Sequence, residues 1–125
     1  MYQIKKLNES YFFIKAIGDF PPETAKMFVK EFKNLTSDIK KDLRVIVDIS
    51  DAILLNIRSI EIILELLKEN NDKLYKSAFI ISYNPPLDKE FSYLFEKAKS
   101  EKRKIVSTFD EAKSWIEIQD IIIKK

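Results

Sequence analysis

Residues 43–67 read LRVIVDISDAILLNIRSIEIILELL, and this stretch decides the fold class. Residues 43–49 are rich in valine and isoleucine, which is typical of a strand buried on both faces of a parallel sheet. An amphipathic helix follows, from about Arg58 to about Asn70. Loops after such strands commonly carry the functional residues of α/β proteins. The loop here contains no glycine, which excludes a phosphate-binding P-loop and a dinucleotide-binding turn at this point.

The segments on either side extend the same architecture. Two β-rich runs, residues 2–7 and 11–17, are separated by Asn-Glu-Ser and predict an antiparallel hairpin. Gly18 is the only glycine of the chain and stands at a strand end, which indicates a positive φ or a close backbone approach. A proline pair then sets the first turn of a helix whose apolar face runs from Ala25 to Leu35.

The second half repeats the strand and helix pattern. Apolar runs predict strands at residues 77–82 and 104–107. Asp88 is placed to cap the helix between them, and Thr108 with Glu111 forms a capping box for the last helix. We expect the basic run between residues 99 and 104 to be a solvated turn.

The predicted element order is ββαβαβαβα. It indicates an α/β fold with a mostly parallel sheet, an antiparallel strand at its N-terminal edge, and covering helices. We expect a single domain over residues 1–118. Residues 119–125 would form a C-terminal helix extension or tail.

The composition excludes several classes of chemistry. The 125 residues contain no cysteine and no histidine, which removes thiolate nucleophiles, Cys/His zinc sites and histidine-based triads. We therefore expect no enzymatic activity and no cofactor. The net charge of +2 gives no reason to expect a nucleic-acid partner. Charged residues interrupt the first ten positions and no apolar run is long enough to cross a bilayer, so we expect a cytoplasmic protein without a signal peptide or membrane insertion.

Three aspartates raise the question of a metal site. Asp19, Asp48 and Asp51 all lie near predicted strand ends. They lack a recognisable ligand pattern for a divalent cation. We expect no metal site, and we interpret Asp48 as a buried or half-buried hydrogen-bond acceptor.

Motifs at three points resemble the STAS domain, the fold of anti-sigma-factor antagonists. Gly18 and Asp19 at a strand end, followed by Ala25, are similar to the start of that family's first helix. The sequence VIVDIS at residues 45–50 is similar to the family's central strand, and FDEA with the tryptophan that follows at residues 109–115 is similar to its last helix. The resemblance covers nearly the whole chain and implies the same fold.

The resemblance also points to a switch segment. Antagonists of the family carry a D-S-S-G-type sequence at the start of the second helix, where a kinase phosphorylates serine. That segment corresponds here to Asn56, Ile57, Arg58 and Ser59, and neither serine position holds a serine. Ser59 is either a candidate phosphorylation site near a helix N-terminus or a first-turn capping residue. Arg58 either binds an anionic group of a partner or is solvated.

These observations predict a non-enzymatic regulatory module that binds a protein partner. The resemblance suggests an anti-sigma factor, a kinase-like protein or another STAS-system protein. The apolar residues 52–55 either pack beneath the loop or form a docking patch. We predict a surface next to the loop of residues 18–22, made of Asp51, Ile53, Leu54, Asn56, Ile57, Arg58 and Ser59.

Two alternatives remain open. Looser relatives of the fold resemble lipid-binding SEC14 proteins, and a STAS/SEC14-like module would bind a small molecule or lipid. The chain has nine phenylalanines, of which Phe12, Phe13, Phe20, Phe28 and Phe32 are spaced as core residues or as a ligand pocket. Separately, Ile121, Ile122 and Ile123 could seal a homodimer.

Overall fold

The computed structural model describes residues 1–53, 56–81, 85–99 and 101–117. Within these ranges five strands and four helices follow one another in the predicted order. The strands are β1 (Tyr2–Lys6), β2 (Tyr11–Gly18), β3 (Leu43–Ala52), β4 (Leu74–Ile80) and β5 (Arg103–Val106). The helices are α1 (Pro22–Leu35), α2 (Ile57–Asn70), α3 (Pro85–Lys97) and α4 (Phe109–Ile116).

The five strands form one sheet in the order β1-β2-β3-β4-β5. β1 pairs with β2 antiparallel, and the three remaining pairings are parallel. The sheet is therefore mostly parallel with one antiparallel edge strand, and the predicted fold class is confirmed. β3 lies at its centre, which explains the near-continuous valine and isoleucine content of that strand.

The helices divide unequally between the two sides of the sheet. The larger core lies between α1, α2 and α3 and one face of the sheet. The strands contribute alternate side chains to it, such as Phe12, Val45 and Phe79. The intervening side chains, such as Ile46 and Ala78, form a second core on the opposite side together with α4. This division follows from the period of two along each strand.

The predicted core phenylalanines lie in these two cores. Phe12, Phe13, Phe28 and Phe32 are buried, and Phe20 is half-buried against the larger core. Their rings contact one another, for example Phe12 with Phe32 at 5.8 Å between centroids. They therefore contribute to the two cores, and Phe20, Phe28 and Phe32 also line an apolar cavity between the sheet and the helices.

α4 begins and ends as a well-capped helix. The Oγ1 atom of Thr108 accepts a hydrogen bond from the backbone N–H of Glu111 at 3.2 Å, as the capping box predicts. At the other end Glu117 is left-handed, with φ of 61°. α4 therefore ends at Ile116. Those residues, including the three isoleucines at 121–123, lie outside the described residues.

Three local predictions need correction. β3 was expected to end at Ile49 but continues to Ala52, because its last residues pair with the end of β2. α3 begins at Pro85, so Asp88 lies in the first turn and is not the N-cap. Arg103, expected in a solvated turn, is buried at the start of β5, where it bonds to the end of α2.

Candidate functional site

The predicted partner surface lies where β2 and β3 end. Ile17 is in register with Asp51, and Gly18 with Ala52. The backbone N–H of Ile53 then donates to the carbonyl oxygen of Gly18 at 2.9 Å. Gly18 has a φ of +72°, and a Cβ added there would meet nothing within 4 Å, so the positive φ and not a close approach requires glycine. The two loops after these strands are thus joined.

The first turn of α2 is also attached to the loop before α1. The Oδ1 atom of Asn56 accepts a hydrogen bond from the N–H of Ser59 at 2.9 Å, which makes Asn56 the N-cap of the helix. The Ser59 hydroxyl donates to the carbonyl oxygen of Phe20 at 2.7 Å. Ser59 is 0% exposed. Its hydroxyl therefore stabilises the junction, and a kinase could reach it only if this turn opened.

Large apolar side chains are exposed around the same edge. Ile53 is 54% exposed and Ile57 is 77% exposed, and both belong to the predicted surface. Ile17 is 45% exposed at the end of β2. Met1 is 79% exposed and exchanges two backbone hydrogen bonds with Ile17. We call Met1, Ile17, Ile53 and Ile57 the edge patch; it holds four of the six large apolar residues that are exposed in the described ranges.

Charged residues adjoin the edge patch. Asp51 and Arg58 are both exposed. Asp51 lies beside Ile17 on the neighbouring strand, and Arg58 follows Ile57 in the sequence. As charges at the rim of the surface, they can orient a partner that carries complementary charges. Of the predicted surface, Leu54 lies outside the described residues.

The sequence prediction missed two members of the patch. Met1 and Ile17 were assigned only to strands. The alternation of β2 did not signal the exposure of Ile17, because Phe13 on the same set of alternate positions is buried against α4. Met1 joins the patch only through the antiparallel pairing of β1 with β2, which is not a local property.

The three aspartates do not form a cation site. Among the residues that the structure describes, no group of three or more potential metal ligands comes together. Asp48 is buried, and its Oδ1 accepts a hydrogen bond from the N–H of Ser50 at 3.2 Å. Asp19 and Asp51 are exposed. The observed role of Asp48 is that of a hydrogen-bond acceptor.

Solved structures share this architecture. A protein of the DUF3478 family from Shewanella loihica, with a SpoIIAA-like fold, is 16% identical over 93% of this chain and 92% of its own, with a TM-score of 0.71. The protein TM1081, solved by NMR, is 18% identical over 95% and 90%, with a TM-score of 0.68. The anti-sigma factor antagonist SpoIIAA in its unphosphorylated form is 9% identical over 89% and 92%, with a TM-score of 0.59.

The chain therefore has the SpoIIAA-like fold, and the resemblance to STAS domains is confirmed at the level of the fold. No protein-family model matches the sequence, and no curated protein does. In the described part of the chain, no helix has both the length and the apolar character needed to cross a membrane.

Proposed function

We propose that this protein is a non-enzymatic regulatory module that binds a protein partner through the edge patch. The observation that carries the proposal is the concentration of exposed apolar residues at one edge of the sheet. Exposed apolar groups that are gathered in one place are typical of interaction sites, whereas single exposed apolar residues are ordinary.

The chemistry of the patch describes the partner. Ile53 and Ile57 would be buried against apolar side chains of the partner, because large exposed aliphatic groups gain most from losing water. Arg58 and Asp51 stand beside them and suit an acidic and a basic group on the partner, respectively. The partner surface would thus be apolar at its centre, with one charge of each sign at its rim.

The fold suggests the kind of partner. One protein of similar structure is an anti-sigma factor antagonist. We therefore propose an anti-sigma factor, a kinase-like protein or another protein of such a system as the partner, met in the cytoplasm. Because Ser59 is buried and hydrogen-bonded to Phe20, the proposed docking does not require its phosphorylation.

The test is capture of a partner with matched variants. The protein would be immobilised and exposed to lysate of its source, and bound proteins identified by mass spectrometry. We expect a partner that is retained by the unaltered protein and lost with the double variant Ile53→Asp, Ile57→Asp. Both side chains are exposed, so the variant should fold as the unaltered protein does, which circular dichroism would check.

The control carries the same type of change elsewhere. Met27 on α1 and Tyr93 on α3 are the other two exposed large apolar residues of the described ranges, and the double variant Met27→Asp, Tyr93→Asp should keep the partner. If both double variants lose the partner equally, or if neither does, the edge patch is not the docking surface.

Ser59 requires a separate experiment. Incubation with kinases of the source lysate, followed by phosphosite mapping, should leave Ser59 unmodified in the folded protein, because its hydroxyl is buried. If Ser59 is phosphorylated, and conditions that stabilise the fold do not slow its phosphorylation, then the first turn of α2 opens locally without unfolding of the whole protein. The docking proposal would then have to include a phosphorylated state.

A further inference from the structure

An apolar cavity lies between the sheet and the layer of α1, α2 and α3. Its volume is about 100 Å³. Aliphatic and aromatic side chains from β3, β4, α2 and α3 supply much of its wall, among them Val45, Val47, Phe79, Leu87 and Phe91. A cavity of about 150 Å³ with such walls is large enough to hold benzene. The space here therefore suits a molecule of about four to six non-hydrogen atoms.

One end of this cavity is polar. Asn70, Ser77 and Arg103 line it and are 7%, 3% and 7% exposed. Ser77 and Arg103 are in register on neighbouring strands, β4 and β5. The guanidinium of Arg103 donates to the carbonyl oxygen of Leu67 at 3.0 Å and to Oδ1 of Asn71 at 2.6 Å, which places it at the C-terminal turn of α2 beside Asn70.

Asn70 and Ser77 occupy positions where the pattern of the chain calls for apolar residues. Asn70 follows Ile63, Leu66 and Leu67 at the spacing of the core-facing stripe of α2. Ser77 alternates with Phe79 on the strand face that packs against the larger core. Two polar side chains are thus placed in core positions at the same end of one cavity.

Neither of these side chains has a hydrogen-bond partner among the described residues. Ser77 bonds through its backbone N–H and carbonyl groups, and none of the hydrogen bonds described within residues 1–53, 56–81, 85–99 and 101–117 involves the side chain of Asn70 or Ser77. Because both side chains line the cavity, a molecule inside it can pair with them.

We propose that this cavity binds a small monocarboxylate with a short apolar tail. The Ser77 hydroxyl and the Asn70 amide would donate to the carboxylate, the positive charge of Arg103 would stabilise it, and the tail would lie among Val45, Phe79 and Phe91. An anionic oxygen is favoured because arginine is only a donor and the other two groups can both donate. The inference is independent of the proposed docking surface.

The charge of Arg103 is retained at neutral pH. Burial lowers the pKa of Arg103 to about 10, which still leaves the guanidinium protonated at pH 7. Its two hydrogen bonds to α2 hold it in place, so its charge is oriented before any ligand arrives. The site is in this respect preorganised.

The first test is a titration of the whole chain with butyrate, followed by NMR of the methyl groups. A ligand of six non-hydrogen atoms should bind with a dissociation constant of about 1 mM. We expect saturable shifts at the methyl signals of Val45, Val47 and Leu87. 1-Butanol has the same tail without the charge, and it should bind at least about tenfold more weakly.

Two variants separate a polar binding site from a packing void. Ser77→Ala and Asn70→Leu should each weaken butyrate binding by about tenfold or more, because each removes one hydrogen bond to a charged group. Ser114→Ala changes an exposed serine on α4 and should leave binding unchanged. Ser77→Ala is the smaller change and keeps the test valid if Asn70→Leu does not fold.

The opposite results are equally definite. If butyrate causes no saturable shifts, or if binding is the same in Ser77→Ala and Asn70→Leu as in the unaltered protein, the proposal fails. Equal binding of 1-butanol and butyrate would mean that the cavity is merely apolar, and it would also overturn the proposal. Octanoate serves as a size control, and binding equal to that of butyrate would contradict the short tail.

Discussion

The two sides of the sheet are packed in different ways. On the α4 side Ile46, Ala78 and Ala112 are completely buried and Ile80 and Ile116 nearly so, and the rings of Phe13, Phe109 and Trp115 complete this core. On the other side three helices pack through large rings and leave a cavity of about 100 Å³. The comparison shows that the larger core, which three helices and several aromatic rings build, is the one that contains the described cavity.

Polar contacts reinforce the difference. At the C-terminal end of α4, Nη1 of Arg44 donates to the carbonyl oxygens of Ile116 at 2.9 Å and Glu117 at 3.1 Å. Nε1 of Trp115 donates to the carbonyl oxygen of Ser77 at 2.9 Å. Ser77 therefore contacts both sides of the sheet. Its carbonyl oxygen binds Trp115 of α4, and its side chain lines the cavity. These hydrogen bonds attach α4 to the sheet on the side opposite the cavity.

The largest effect should come from truncation on the α4 side. Ile116→Ala removes a side chain that is almost fully buried, and we expect a loss of about 2–5 kcal/mol in the free energy of unfolding, towards the upper end. Ile63→Ala, on a helix that borders the cavity, should lie at the lower end of that range, because Ile63 already has fewer neighbours on one side. Urea denaturation measures both. A larger loss for Ile63→Ala would contradict the described contrast in packing.

A pair of enlargements provides a sharper comparison of the two sides. Ala78→Val adds two methyl groups against α4 and should cost about 1–3 kcal/mol of stability by overpacking. Ala16→Val makes the same change on a strand residue that lines the cavity, so the added groups have space, and its effect should be within about 0.5 kcal/mol of zero. Thermal and urea unfolding of the two variants would be compared. Equal destabilisation would mean that the cavity is not available space.

The smallest expected effect concerns the start of α4. Thr108→Ala removes the side-chain acceptor for the N–H of Glu111 and should cost about 1 kcal/mol. Thr108→Ser keeps a hydroxyl in the same place and should have little effect. If Thr108→Ala also left the stability unchanged in urea unfolding, the N-cap would not contribute to holding α4 on the sheet.

Much of the fold could be predicted from local patterns. The order of the elements, the antiparallel edge strand and the Thr108 cap follow from periodicities of two and 3.6 and from the residues between the runs. The end of β3 could not be predicted in this way. Asp51 and Ala52 are in a strand because Ile17 and Gly18 lie beside them, and a neighbouring strand is a tertiary partner.

The candidate sites were predictable to different degrees. The exposed Ile53 stands in the apolar run of residues 52–55, which the sequence marked as core or docking patch, and Ile57 was predicted as a member of the same surface. The burial of Ser59 was not predictable, because it depends on the position of the Phe20 carbonyl in another loop. Arg103 was assigned to a solvated basic run for the same reason, since its acceptors Leu67 and Asn71 lie at the C-terminal end of α2, more than thirty residues earlier in the chain.

The sequence by itself determined the order of strands and helices and many of the inward-facing apolar side chains, because these are local properties of backbone geometry and apolar spacing. It also excluded cysteine and histidine chemistry. Only the tertiary structure decided that α4 is the one described helix on its side of the sheet, that a cavity lies among the three helices on the other, and that Asn70, Ser77 and Arg103 line that cavity. The physical reason is that the fit of volumes between elements and the pairing of distant polar groups depend on residues far apart in the chain.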